Sequence, residues 1–293
     1  MKGNLGLLVT PFDENQELDE KSLRNLIEYA IDDGVEGLIP LGTTGEFFSL
    51  SRDEKRQVID ITIDQARGRL PVCIGVGYSG TRISTDLAEY AAQGGACAVL
   101  VPPPYYYPLA NQSMYLHFST IANTIEIDVM LYDGGGGLVI PTTLIDQLNK
   151  EFSNIRHVKV SSLDSRKVSE LRTTLGDRVQ IFCGDEVMLM SALHDGAVGM
   201  ATASGMVFPR ACTDICRLFL SGEREVARDK YLKSIGPWTV ASGIIKSEFI
   251  RCFKEVLAAK GVIASPMTRL PLSALEPSRK AELLATAKLI GIL

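Results

Sequence analysis

The chain has 293 residues, a formal net charge of -5, and 46% hydrophobic against 22% charged residues, which suits one large α/β domain or two smaller ones. No basic block interleaved with aromatics is present, which speaks against nucleic-acid binding, and no run approaches the roughly eighteen apolar residues of a membrane span. The six cysteines are scattered without a CxxC pair, as expected of free thiols in a reducing cytoplasm.

Leu5-Gly6-Leu7-Leu8-Val9 is too short for a signal-peptide core and is predicted to be the first strand. From there to about residue 207, short apolar runs alternate with longer amphipathic ones. Strands are predicted at 5–9, 37–41, 72–76, 97–101, 127–132, 155–160, 179–183 and 197–201. Helices are predicted at about 20–33, 52–67, 81–93, 112–125, 142–150, 164–174 and 186–194. Ser51 with Glu54 forms a capping box, and Asp164 opens the helix after the sixth strand. Strands that are apolar throughout, rather than alternating, are what a buried parallel sheet requires. Eight of them predict a closed (β/α)8 barrel, with a doubly wound open sheet as the rival. After Gly205 the periodicity is helical at 208–221, 223–235, 240–259 and 276–290, broken at Ser265-Pro266 through Pro271-Leu272. The expected organisation is a barrel over 1–207 with a C-terminal helical extension, 208–293, packed on it.

In such a barrel the chemistry gathers at the C-terminal ends of the strands. The second strand leads into Gly42-Thr43-Thr44-Gly45-Glu46, a tight turn whose hydroxyls and N–H groups suit a carboxylate. It lacks the lysine of a P-loop. The fourth leads into the stiff aromatic loop Pro102-Pro103-Pro104-Tyr105-Tyr106-Tyr107-Pro108, for which an interface role is the plain alternative. The fifth ends in Tyr132 and continues Asp133-Gly134-Gly135-Gly136-Gly137. Such a glycine run fits where backbone passes close to a ligand or a loop must move. The sixth, Arg156-His157-Val158-Lys159-Val160, holds a lysine at an apolar position: a strand-end lysine reaching for solvent, or a nucleophile in a desolvated pocket. The seventh ends at Cys183-Gly184-Asp185-Glu186. His157 is expected in the core one layer below Lys159, Glu46 as a cap or partner of a basic group, and Lys246 as structural.

In order and spacing, Thr10-Pro11-Phe12, Gly42-Thr43-Thr44-Gly45-Glu46, Pro104-Tyr105-Tyr106, Leu131-Tyr132, Lys159, Gly184-Asp185 and Arg269-Leu270-Pro271-Leu272 resemble one known family. This is the dihydrodipicolinate synthase / N-acetylneuraminate lyase family of Schiff-base-forming lyases. The resemblance implies a (β/α)8 barrel with a helical extension, usually assembled as a homotetramer, a dimer of dimers. It also implies that Lys159 forms an imine with the keto carbon of pyruvate or a longer 2-keto acid. Tyr132 would be the general acid/base, Thr43 would relay its proton, and Tyr106 would reach in from a neighbouring subunit. Thr44, Gly45 and nearby N–H groups would hold the substrate carboxylate, with Gly184 and Thr202 as further substrate contacts; Asp133, where this sequence departs from the family, is expected to accept hydrogen bonds from sugar hydroxyls. An iminium is itself an electron sink, so no metal or redox cofactor is called for.

The departures concern the second substrate. After the tyrosine the family reads Asn-x-Pro-x, with an arginine five residues on in the dihydrodipicolinate synthases; here those positions are Asp133, Gly135 and Gly137. A glycine cannot replace a bidentate arginine clamp on a carboxylate. Thr202 and Met206 stand where Ser and Asn are usual. The expectation is therefore a class I aldolase or dehydratase acting on a 2-keto-3-deoxy sugar acid. The alternatives are condensation of pyruvate with an aldehyde, as in dihydrodipicolinate synthase, or an inactive keto-acid-binding barrel.

Overall fold

The computed structural model describes residues 1–242 and 248–293. Eight parallel strands form the barrel: β1 (Gly3–Leu7), β2 (Gly37–Ile39), β3 (Cys73–Gly75), β4 (Ala98–Val101), β5 (Asp128–Asp133), β6 (Ile155–Val160), β7 (Gln180–Cys183) and β8 (Gly199–Thr202). Hydrogen-bonded ladders join every neighbouring pair from β3 round through β8 and β1 to β2. The circle is completed between β2 and β3 by the single bridge Leu38↔Val72. This is a (β/α)8 barrel, and the open-sheet rival falls with that closure.

The helices alternate with the strands as α1 (Glu20–Asp32), α2 (Arg52–Ala66), α3 (Thr81–Gly94), α4 (Asn111–Thr124), α5 (Thr142–Glu151), α6 (Arg166–Leu175) and α7 (Leu189–His194). The capping box at α2 is present: Ser51 Oγ accepts the Glu54 N–H, and Glu54 accepts the Ser51 N–H at 2.7 Å. Asp164 accepts the Arg166 N–H at 3.0 Å just ahead of α6, which begins two residues later than expected. The stretch 186–194 is a short 3-10 turn followed by α7, not one continuous helix.

After β8 come α8 (Ser204–Val207), α9 (Pro209–Leu220), α10 (Arg224–Lys233), α11 (Ile235–Ser242), α12 (Phe249–Ala259) and α13 (Pro277–Leu289). Of the helix expected over 240–259, the end of α11 and the whole of α12 are described, and the middle, with Lys246, lies outside the described residues. Asn4 fastens α9 to the barrel, its amide donating to Gly205 O, Pro209 O and Thr213 Oγ1. Among the described residues, no helix is long and apolar enough to cross a membrane.

Two packed layers result. Leu5, Leu7, Ile39, Leu100, Met130 and Phe182 fill the barrel interior with Tyr132, while the opposite strand faces meet the surrounding helices. His157 lies inside, 2% exposed, with Nε2 3.0 Å from Asp128 Oδ2 and its ring edge against Phe182. Burial lowers its affinity for a proton more than Asp128 raises it, as fits a core histidine.

Candidate active site

The site is built from the upper ends of β5 and β6. Their register sets Tyr132 directly opposite Lys159, and Lys159 opposite Phe182 of β7. Because side chains alternate along a strand, Met130 and Tyr132 share the inner face of β5, as His157 and Lys159 share that of β6. Lys159 is only 1% exposed, so the solvent-reaching alternative fails. Its Nζ stands 4.2 Å from the centre of the Tyr132 ring. Burial alone would raise the Tyr132 phenol. The Lys159 charge and the hydroxyls of Ser161 and Thr43 outweigh it and hold the phenol below its ordinary value of 10.

Gly184 is a glycine because Ser161 and Lys159 leave it no room. A Cβ there would lie 2.2 Å from Ser161 Oγ and 2.8 Å from Lys159 Cε. Ser161 donates to Gly184 O at 2.9 Å. The sequence reading missed Ser161, although it sits two residues after Lys159 and period-two alternation marks it for the same side.

The Thr43–Gly45 turn follows β2 and is closed by Gly45 N–H to Gly42 O and Glu46 N–H to Thr43 O, both 3.0 Å. Thr10 Oγ1 donates to Gly45 O at 2.7 Å, which explains the pairing of the Thr10-Pro11 and glycine-threonine motifs. Thr44 is buried. Thr43, Tyr132, Phe47, Gly77, Leu100 and Pro102 border a cavity of about 10 Å³, room for about one water. Lys159, Tyr132, Thr43, Thr44, Gly45 and Gly184 are therefore clustered at one end of the barrel.

Three other expected residues lie outside that cluster. Asp133 follows Tyr132 by one position and so faces away from the axis. It is wholly buried; its Oδ1 accepts the Ile140 N–H at 2.6 Å and its Oδ2 lies 3.7 Å from Lys167 Nζ. Burial raises its carboxyl, with Lys167 opposing. The carboxylate clamps the far end of the glycine loop instead of pointing toward Lys159. Thr202 also faces outward, since Ala201 is the inward residue of β8, and its Oγ1 accepts the Gly205 N–H at 3.3 Å. Tyr106 is 83% exposed with its ring against Tyr107, so a single chain does not bring it to the Tyr132–Lys159 pair.

The glycine loop itself lies on Tyr132. A Cβ at Gly135 would come within 2.7 Å of Tyr132 Cε1, and Gly134, at φ +84°, would meet Ser162 N at 2.6 Å. At Gly137 a Cβ would meet nothing within 4 Å. Beyond the loop, Val139, Thr142, Ser162, Lys167 and Glu170 border a separate open cavity of about 410 Å³.

The family model described as the dihydrodipicolinate synthetase family matches residues 1–290. A 4-hydroxy-tetrahydrodipicolinate synthase of Nitratidesulfovibrio vulgaris is 34% identical over 98% of this chain and 99% of its own length. The enzyme of the same name from Bartonella bacilliformis is 37% identical over 78% of each chain. Among solved structures, the chloride-inhibited dihydrodipicolinate synthase of Acinetobacter baumannii, complexed with pyruvate, superposes with a TM-score of 0.93 at 27% identity, covering 100% of this chain and 99% of that one. YagE, a prophage protein of E. coli K12 also in complex with pyruvate, gives a TM-score of 0.93 at 26% identity over the same shares. With a family match along nearly its whole length and a buried lysine facing a tyrosine at the barrel mouth, the chain belongs to the dihydrodipicolinate synthetase family and is a lyase of the lysine-imine type.

Proposed function

We propose that Lys159 Nζ condenses with the keto carbon of pyruvate or a longer 2-keto acid, expelling water to leave an iminium. The observation that carries this is the buried amine 4.2 Å from the Tyr132 ring, across one rung of the sheet. In the cleavage direction, the Tyr132 phenolate takes the proton of the C4 hydroxyl, the C3–C4 bond breaks, and its electron pair flows into the iminium to give an enamine and a free aldehyde. Tyr132 returns the proton at C3, and water then hydrolyses the imine. Thr43 relays protons to the phenol. Thr44 and the N–H groups of the following turn hold the carboxylate.

For the second reactant, the proposal is a polyhydroxylated tail, as in a 2-keto-3-deoxy sugar acid. Support comes from Gly137, around whose added Cβ no cation stands within 4 Å, and from Lys167, whose ammonium is already held by Ile140 O, Thr142 Oγ1 and Asp133. Condensation of pyruvate with an aldehyde is the second reading, favoured by the names of the curated relatives. Tyr106, exposed on a single chain, is assigned to the site of a neighbouring subunit in a tetramer.

Borohydride reduction in the presence of pyruvate, followed by intact mass, tests the imine: one adduct is expected in the native chain and none in Lys159→Ala. A native chain that forms no adduct with any 2-keto acid sinks the proposal. Product analysis with sugar acids, and with pyruvate plus aspartate semialdehyde, then separates cleavage, dehydration and condensation.

A further inference from the structure

The Thr43–Gly45 turn hangs from β2, a strand of three residues laddered on one side to β1 and on the other held to β3 by a single bridge. The sheet therefore does little to fix the turn. Its next residue, Glu46, is forced into left-handed backbone at φ +53° and is wholly buried. That carboxylate is met from the helical extension, more than two hundred residues later in the chain. Lys254 of α12, itself 0% exposed, ion-pairs with Glu46 Oε1, and the Arg269 N–H donates to Oε2 at 2.9 Å. Lys254 Nζ also donates to Met267 O at 2.7 Å and lies 4.3 Å from the Phe12 ring centre. Arg269 caps the same ring from 4.4 Å and donates to Ser49 O and to Gln16 O.

A buried pair is a poor source of net stability compared with apolar packing, although breaking one half of it is damaging. Its value is directional, since it tolerates one geometry only. We propose that Lys254 is a positioning residue: through Glu46 it fixes the Thr43–Gly45 turn, and so the hydroxyls and N–H groups that receive the keto acid carboxylate. This rests on the imine reading above. The helical extension would then be part of the binding apparatus for the substrate and not merely packing.

The test titrates pyruvate against borohydride-trapped adduct in the full chain and in Lys254→Met, Glu46→Gln, and the double variant Glu46→Gln/Lys254→Met. Melting temperatures are recorded alongside. The double variant strands no buried charge and is expected to melt within a few degrees of the native chain. Its half-saturating pyruvate is nevertheless expected to rise about tenfold or more, with the plateau of adduct at saturating pyruvate retained. A folded variant lacking the pair that half-saturates within twofold of the native chain overturns the positioning role while leaving the imine reading intact. Unfolding of all three assigns the pair to stability alone and overturns it too. If the native chain traps no adduct, the imine reading itself fails, and this proposal falls with it.

Discussion

Replacing Gly184 by alanine probes the reacting amine without touching it chemically. The new Cβ would stand 2.8 Å from Lys159 Cε and 3.0 Å from Lys159 Cγ. To reach 3.4 Å, the near edge of ordinary contact, Cε must move by about 0.6 Å. Ser161 Oγ, 2.2 Å away, must move by about twice that, which breaks its hydrogen bond to Gly184 O. Over-packing of this kind costs about 1–3 kcal/mol, a few degrees in melting temperature for a chain of this size. The effect on rate should be larger. A misplacement approaching 1 Å at a reacting centre costs up to about 100-fold, so imine formation should slow by roughly 10- to 100-fold. The assay is the rate of adduct formation at saturating pyruvate, quenched at intervals with borohydride, with melting followed by circular dichroism. A Gly184→Ala chain that forms its adduct within threefold of the native rate would mean that Lys159 does not depend on the space above β7.

Substitutions at two further positions test groups away from the reacting amine. Asp133→Ala removes the counter-charge of Lys167, whose ammonium keeps Ile140 O and Thr142 Oγ1, and leaves the buried Ile140 N–H without its acceptor; it should cost about 3 kcal/mol of stability, whereas Asp133→Asn loses the same charge but still accepts that N–H and should cost about 1 kcal/mol less. If Asp133 served substrate and not the loop, Asp133→Ala would instead melt normally and lose only discrimination among substrates. Lys55 is 2% exposed, its Nζ 3.4 Å from the Tyr78 ring centre, and burial pushes its ammonium down to about 8 from an ordinary 10.5. Between those two pH values the unfolded chain binds more protons, so native stability should rise as pH goes from 8 to 10.5, with the burial penalty present in full below 8. Lys254 is pushed down by burial to about 8 as well, so Lys55→Met should flatten that slope without abolishing it and stabilise the chain at pH 7 by about 1–3 kcal/mol, the lower figure allowing for the lost cation–π contact. Parallel denaturation curves for Lys55→Met and the native chain across that pH range would contradict this.

The barrel could be read from the sequence because its strands are apolar on both faces and alternate regularly with amphipathic helices, a signal that survives errors of two or three residues at each end. Lys159 stood out because a lysine inside such a strand conflicts with its surroundings. Asp133 and Thr202 were harder. Each sits one residue from an inward-facing position, and a one-residue step along a strand reverses the direction of the side chain. Only the register, Tyr132 opposite Lys159 with Ala201 facing inward, settles which neighbour points at the axis. Lys254 was legible in principle: it lies among Ile250, Phe253 and Leu257 on the buried face of α12. Its partner Glu46 is too distant in sequence for periodicity to connect them.

The lone bridge between β2 and β3 makes the barrel a hoop with a clasp. Seven of the eight junctions are zipped by ladders, whereas this one is secured by Leu38 N–H on Pro71 O and Gly75 N–H on Pro40 O. Thermal breathing should begin there, and amide protons on either side should exchange before those of β5 and β6. The lysine and tyrosine thus sit on the longest ladder of the ring, and the threonine turn hangs beside the clasp.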